Sequence, residues 1–164
     1  IVCFPGVLYR GGAEQKIRKY LIDNNFVDCV IQLPSNLFFG TSIATCIMVL
    51  KKSKSENRTL FVDASKECIK VTNSNKLTDD DITRILSAYE KRSNEDYFTC
   101  LVENDKIAAA DYNLSVSSYV VQEDTREVVD IRRLNAEIEK IVARENILRE
   151  EIVKIIADIE GVDA

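Results

Sequence analysis

Two apolar runs, FVDCVIQL at residues 26–33 and IATCIMVL at 43–50, each have the length of a single strand. Both are rich in Val, Ile and Cys, the composition of strands buried on two faces rather than one. Nothing between them has helical periodicity, so the second run is expected to return antiparallel beside the first. The connection, residues 34–42, opens with Pro34, which has no amide hydrogen for a ladder and closes the first strand. It carries two adjacent aromatics, Phe38 and Phe39, and then Gly40, where the backbone can turn sharply. Two rings in a loop at a strand end serve either packing or recognition.

The flanking chain fills in around these runs. Residues 1–4 read as a strand, Pro5 and Gly6 as breakers, and Arg10 with Gly11 and Gly12 as a tight loop before a helix at 13–24. That helix carries Ile17, Tyr20 and Leu21 at helical spacing, with Lys16, Arg18 and Lys19 beside them. Strand, helix and strand in succession form a βαβ unit, which implies a parallel pair with a right-handed crossover. Residues 59–62 make a further short strand, and 63–76 is polar and irregular. Thr78 with Asp79, Asp80 and Asp81 opens a helix carrying Ile82, Ile85, Leu86 and Tyr89 on one face; capping, not metal binding, explains the three acids. Residues 94–102 are mixed in character and 106–110 form a short apolar stretch. DYNLSVSSYV, at 111–120, reads as an extended tail in which Asn113 organises a turn.

The last stretch, about 124–159, differs in kind. Apolar residues recur at Ile131, Leu134, Ile138, Ile141, Leu148, Ile152, Ile155 and Ile159, in alternating steps of three and four. Sustained over about four heptads among Glu, Lys and Arg, this predicts a coiled-coil-type helix that needs a partner. Glu145 is the polar break in the seam, costly there unless a cation meets it.

Composition narrows the function classes. With 164 residues, 46% of them apolar, the chain can bury a core of its own. No run is long enough to span a bilayer and no signal peptide opens the chain, so a cytoplasmic protein with no membrane association is expected. The five cysteines are scattered and histidine is absent, which leaves no zinc pattern and reads as small buried hydrophobes in a reducing compartment. A formal net charge of −5 argues against a free-standing DNA binder, though not against a subunit whose partner makes most phosphate contacts. The first methionine is Met48, and the opening residues are already strand-like, so the sequence is read as part of a longer protein.

Taken together, RGGAEQKIRKYLIDNNFVDCVIQLPSNLFFGTSIATCIMVLKK, LFVDASKE, NKLTDDDITRIL and DYNLSVSSYV closely resemble the C-terminal half of the modification subunit of type I restriction-modification systems. The match covers residues 1–119, and the terminal heptads match in kind only. The resemblance implies an α/β fold: the closing part of a Rossmann-like methyltransferase sheet, mixed, with its last strand antiparallel, plus a long terminal helix. It divides the chain into 1–66, the closing half of the methyltransferase domain; 67–122, a helical and extended extension; and 123–164, an assembly helix.

The implied activity is transfer of a methyl group from S-adenosylmethionine to N6 of adenine in double-stranded DNA, with the target base flipped out of the duplex. The family's cofactor loop and its Asn/Asp-Pro-Pro-Tyr/Phe tetrad precede the part present here. Pro5 and Pro34 are the only prolines, so the tetrad is absent and no catalytic, cofactor-binding or metal-ligating residue is assigned. The stretch is therefore expected to be inactive by itself. In related enzymes an aromatic between the last two sheet strands stacks on the flipped base; Phe38 aligns best with it and Phe39 is its neighbour. Stacking is worth about 1–3 kcal/mol per base. Arg10 and Asn36 are candidate DNA contacts.

Implied partners are the specificity and restriction subunits, with self-association through the terminal helix as a further possibility. Two rival readings remain: a non-catalytic α/β plus coiled-coil interaction module, and another adenosylmethionine-dependent methyltransferase acting on RNA or protein.

Overall fold

The computed structural model describes residues 1–122 and 131–161. Two units are distinguished, Ile1–Glu123 and Asp124–Ala164. In the first, the chain order is β1 (Val2–Cys3), α1 (Ala13–Asp23), β2 (Val27–Gln32), β3 (Cys46–Leu50), β4 (Arg58–Asp63), the hairpin β5 (Ile69–Val71) and β6 (Ser74–Lys76), α2 (Asp79–Lys91), β7 (Thr99–Glu103) and α3 (Asn104–Ala109). The fold is mixed α/β. Five strands form one sheet in the order β1-β3-β2-β4-β7, and the hairpin stands apart from it.

The two apolar runs become β2 and β3, paired antiparallel as their short helix-free connection requires. On its other side β2 pairs parallel with β4. With neighbours on both sides and cover on both faces, β2 alternates between two cores: Val27 and Val30 join Phe61, Met48 and Leu114, whereas Cys29, Ile31 and Leu33 join Leu60, Val62 and Ile85.

The expected βαβ unit is corrected in one respect. β1 and β2 run parallel but are not adjacent, because β3 lies between them and pairs antiparallel with each. A single connection without a helix places β3 closer to β2 than the crossover from β1 can reach. Since β1, β2 and β4 share a direction, the chain leaves all three at the same edge of the sheet.

Three further expectations change. Residues 63–76 are not irregular: they contain the β5–β6 hairpin, whose three-residue strands are too short and too exposed for Ile69 and Val71 to mark a strand period. The 94–102 stretch leads into β7 (Thr99–Glu103), antiparallel to β4 at the sheet edge. Residues 111–120 are not a loose tail, for Leu114, Val116 and Val120 are buried against Leu8 and Phe61. There the Tyr119 ring stacks on Phe61 at 4.3 Å between centroids. Asn113 does organise a turn, its Oδ1 accepting from the Ser115 amide at 2.8 Å and its carbonyl from the Tyr119 hydroxyl at 2.6 Å.

Of the expected stripe on α1, Leu21 packs against the core while the other two residues do not. Ile17 and Tyr20 are exposed, while Arg18 and Ile22, four apart, face inward. Arg18 tolerates burial because Nε donates to the Tyr112 carbonyl at 2.7 Å and Nη1 to the Val7 carbonyl at 2.9 Å. Its stem packs while its head ties the tail to the entry of the helix. α2 starts as expected: the Thr78 hydroxyl accepts from the Asp81 amide at 3.2 Å and the Asp81 carboxylate accepts from the Thr78 amide at 2.7 Å, a reciprocal capping box.

Pairing between β2 and β3 skips a residue between Val27 and Cys29, so Asp28 occupies a bulge. Buried there, its carboxylate meets the Tyr89 hydroxyl at 2.6 Å, Lys51 at 3.0 Å and Arg92 at 3.0 Å. Burial by itself raises the Asp28 pKa, but the hydrogen bonds from Tyr89 and Lys51 and the charge of Arg92 outweigh it and leave it lowered. Burial likewise pushes the Cys29 and Cys46 thiols up to about 12 and the half-buried Lys54 ammonium down to about 8.

In the second unit, α4 (Ile131–Glu160) is one continuous 30-residue helix. Residues 124–130 of the expected helix lie outside the described residues. The seam residues from Ile131 to Ile159 are exposed, as are Val142 and Ile156 beside them. Glu145 is met by Arg149 of the same helix at 2.8 Å. Among the described residues no helix is long and apolar enough to cross a membrane.

Truncating Phe61 to Ala removes the ring shared by β4 and the 111–120 segment and should cost about 3–5 kcal/mol in denaturant unfolding. Asp28→Asn should lower stability at pH 7 by about 1–3 kcal/mol. Because folding lowers the Asp28 pKa, its contribution is complete above the ordinary aspartate value of about 3.9 and is lost as pH falls through the folded value. Melting temperature measured against pH should therefore show a shallower acid limb in the Asn variant.

Candidate functional site

The loop at 34–42 leaves the carboxyl end of β2, the central strand of the sheet. Its base is closed by the Leu33 amide donating to the Thr45 carbonyl at 2.8 Å, and Pro34 is buried beneath it. Leu37 packs against the core on the α2 side. Beyond these anchors the chain turns outward: the Thr41 amide donates to the Phe38 carbonyl at 3.4 Å, and Gly40 sits at φ 80°, a conformation costly to a residue with a side chain. Phe38 is 46% exposed and Phe39 fully so. Neither ring plugs the sheet.

Asn36 also adopts a left-handed conformation, φ 52°, which asparagine tolerates better than most residues. Its side-chain amide donates to the Asn73 carbonyl at the tip of the β5–β6 hairpin. In return the Asn75 amide donates to the Asn36 carbonyl at 2.8 Å, and Asn75 Nδ2 to the Ser35 carbonyl at 2.8 Å. Asn36 is thus a turn former engaged with the hairpin. Sequence reasoning missed this junction, since strands of three residues are too short to establish a period; the alternating Ile69 and Val71 and the Asn-rich TNSN at 72–75 are its local signals.

Arg10 lies before α1 on the chain leaving β1. It folds over Gly6, where an added Cβ would meet Arg10 Nε at 3.0 Å. Topology therefore brings the segments holding Arg10, Asn36, Phe38 and Phe39 to one edge of the sheet, and the hydrogen bonds described join only Asn36 to a neighbouring element. Asp63, at the end of β4 on this same edge, holds the Ser65 amide at 3.0 Å and borders a cavity of about 270 Å³ shared with Arg84 and Tyr97.

Among the described residues, the one glycine pair that opens a helix, Gly11 and Gly12, does not fit an adenosyl cofactor. Gly11 and Gly12 follow a 3-10 turn, Pro5–Leu8, not a strand, so the strand-glycine-helix order is missing. Among the described residues no group of three His, Cys, Asp or Glu converges to hold a metal ion.

Comparison with known proteins places this architecture. The family model described as N-6 DNA Methylase matches residues 1–128. A type I restriction enzyme methylase subunit, MpnII, from Mycoplasma pneumoniae is 48% identical over 98% of this chain, which spans 30% of that protein. The MjaVII methylase subunit of Methanocaldococcus jannaschii is 34% identical over 99% of the chain and 29% of its own length. Among solved structures, the type I restriction-modification methyltransferase subunit from Streptococcus thermophilus superposes with a TM-score of 0.73 at 45% identity, covering 75% of this chain and 26% of that one. The chain thus spans less than a third of each of these three proteins. The family model over residues 1–128 shows the family: the chain belongs to the N-6 DNA methylases, and it is similar to methylase subunits of type I restriction enzymes.

Proposed function

We propose that this sequence is the C-terminal part of a cytoplasmic type I modification subunit, and that it completes the pocket for the target adenine while its last helix docks the specificity subunit. The observation that carries the first half is the exposure of Phe38 on a loop leaving the carboxyl end of the central strand, the edge where open α/β sheets take ligands. An adenine drawn out of a duplex loses stacking on both faces, and an exposed phenyl ring offers a replacement. Phe39, more exposed still, extends the same surface; Arg10 supplies a cation to phosphate from the segment that leaves β1 at the same edge of the sheet. With Asn36 engaged by the hairpin, its contribution to the DNA face is through the loop it shapes.

Chemistry in the whole subunit comes from upstream residues that bind S-adenosylmethionine and hold the catalytic tetrad. The cofactor supplies an activated methyl group when bound. This chain's own residues orient the acceptor base and narrow its access to water, so the stretch does not methylate alone. Strands β1, β3, β2 and β4 serve as the closing part of a Rossmann-like methyltransferase domain, residues 1–66; residues 67–122 extend it and add the edge strand β7, and 123–164 serve assembly.

Docking through α4 rests on its exposed stripe. A helix of 30 residues is about 45 Å long, and its a and d positions together with Val142 and Ile156 make a face wider than a two-stranded seam needs. Such a face suits burial against more than one helix. Helices of a specificity subunit fit this demand, and the restriction subunit joins the resulting complex. The acidic balance of the chain also suits a subunit that leaves most DNA reading to its partner.

Phe38→Ala in the full-length subunit, assembled with its specificity subunit, should reduce methylation of duplex DNA by roughly tenfold to a hundredfold at unchanged cofactor affinity; turnover equal to the parent would refute stacking. Ile152→Glu should abolish co-purification with the specificity subunit while leaving the melting of the Ile1–Glu123 unit unchanged. A complex that survives this change would remove α4 from the interface.

A further inference from the structure

The loop bearing Phe38 is weakly held from within. Its two internal backbone hydrogen bonds, Asn36 amide to Ser42 carbonyl and Thr41 amide to Phe38 carbonyl, are long at 3.3 and 3.4 Å. The rings themselves are exposed, so packing does not fix them. External restraint comes from the β5–β6 hairpin, through three hydrogen bonds between residues 35–36 and 73–75. Two of these are contributed by Asn75.

The hairpin needs an anchor as well, because three residues per strand with exposed faces do not make a stable structure alone. Immediately after β6, Leu77 packs into the core under α2 and Thr78 caps that helix. A short path therefore runs from the capped start of α2, through β6, to Asn75 and so to the backbone next to Leu37 and Phe38. Rigid support for an aromatic platform has a purpose: a flipped base gains from stacking only when the ring is already in place.

We propose that Asn75, by bridging β6 to Ser35 and Asn36, is a positioning residue for the Phe38 loop, and that the β5–β6 hairpin exists in this chain to present that ring to the extruded base. The proposal rests on the stacking role of Phe38 set out above and adds the residue that enforces it. Asn75 touches neither the base nor the cofactor, so its effect passes through loop order.

The test uses the full-length subunit with its specificity subunit, on a duplex with 2-aminopurine at the target adenine for fluorescence and on an unmodified duplex for single-turnover methylation. Four variants are compared: Phe38→Ala, Asn75→Ala, Asn75→Asp and Asn36→Asp. The aspartates keep size, and at position 36 the tolerance for left-handed backbone, but each loses one side-chain donor of the bridge, Asn75 its bond to the Ser35 carbonyl and Asn36 its bond to the Asn73 carbonyl, while the Asn75 backbone amide still donates to Asn36. The methylation rate should fall roughly tenfold or more in Asn75→Ala, Asn75→Asp and Asn36→Asp alike. Duplex Kd, cofactor Kd and melting temperature should stay at parent values, and the 2-aminopurine signal should shift in the same sense as in Phe38→Ala. Combining Asn36→Asp with Asn75→Ala should add little further loss, since both cut one junction. Parent-like rates in both Asn75 variants beside an impaired Phe38→Ala would overturn the bridge alone. A parent-like Phe38→Ala would overturn the stacking role and the bridge with it.

Discussion

Burial of β2 on both faces is the constraint on which the rest of the first unit depends. A strand flanked by β3 and β4 has every backbone amide and carbonyl in reach of a ladder, so its side chains can be apolar on both sides without stranding polar groups. That double burial requires cover above and below. On one face α1, α3 and the 111–120 segment supply it; on the other, α2 and Phe98 do. The carboxyl end of β2 is then a rigid post, and a loop attached to a rigid post can carry a recognition group without being packed itself.

The same strand also accommodates an acid. The bulge at Asp28 turns a carboxylate into a junction among β2, β3 and α2, with Tyr89, Lys51 and Arg92 all directed at it. Loss of hydration on burial opposes ionisation, and three donors more than offset it. A charge within an otherwise apolar strand here fixes where α2 ends relative to the sheet. At the opposite end of α2 the Thr78–Asp81 capping box fixes where the helix begins, next to the hairpin. Helix placement is thus defined at both ends by polar contacts, while Ile85 and Ala88 supply the buried surface between them.

α4 follows different physics. Nearly all its apolar side chains are exposed, and its internal ion pairs, Arg133 with Glu137 and Arg149 with Glu145, are surface pairs worth about 0.3–0.5 kcal/mol each. These support a helix without giving it a core. The Glu145 break in the seam is compensated within the helix, so a partner need not bring a cation to that point.

Much was legible in the residues themselves. Apolar runs of strand length, a proline after the first, a capping motif at Thr78 and a sustained heptad period are local signals, and each one reports its element because the physics behind it acts over a few residues. Antiparallel return of β3 was equally readable from the length of its connection. Tertiary structure alone decided the rest. It placed β3 between β1 and β2, turned Arg18 inward and Ile17 and Tyr20 outward, drew 111–120 into the core, and made a hairpin of a polar stretch. It also brought Asn75 to Ser35 and Asn36, forty residues away in the chain. Such choices depend on which surfaces meet after folding, and a hydrogen bond between distant polar segments leaves no period in sequence to announce it.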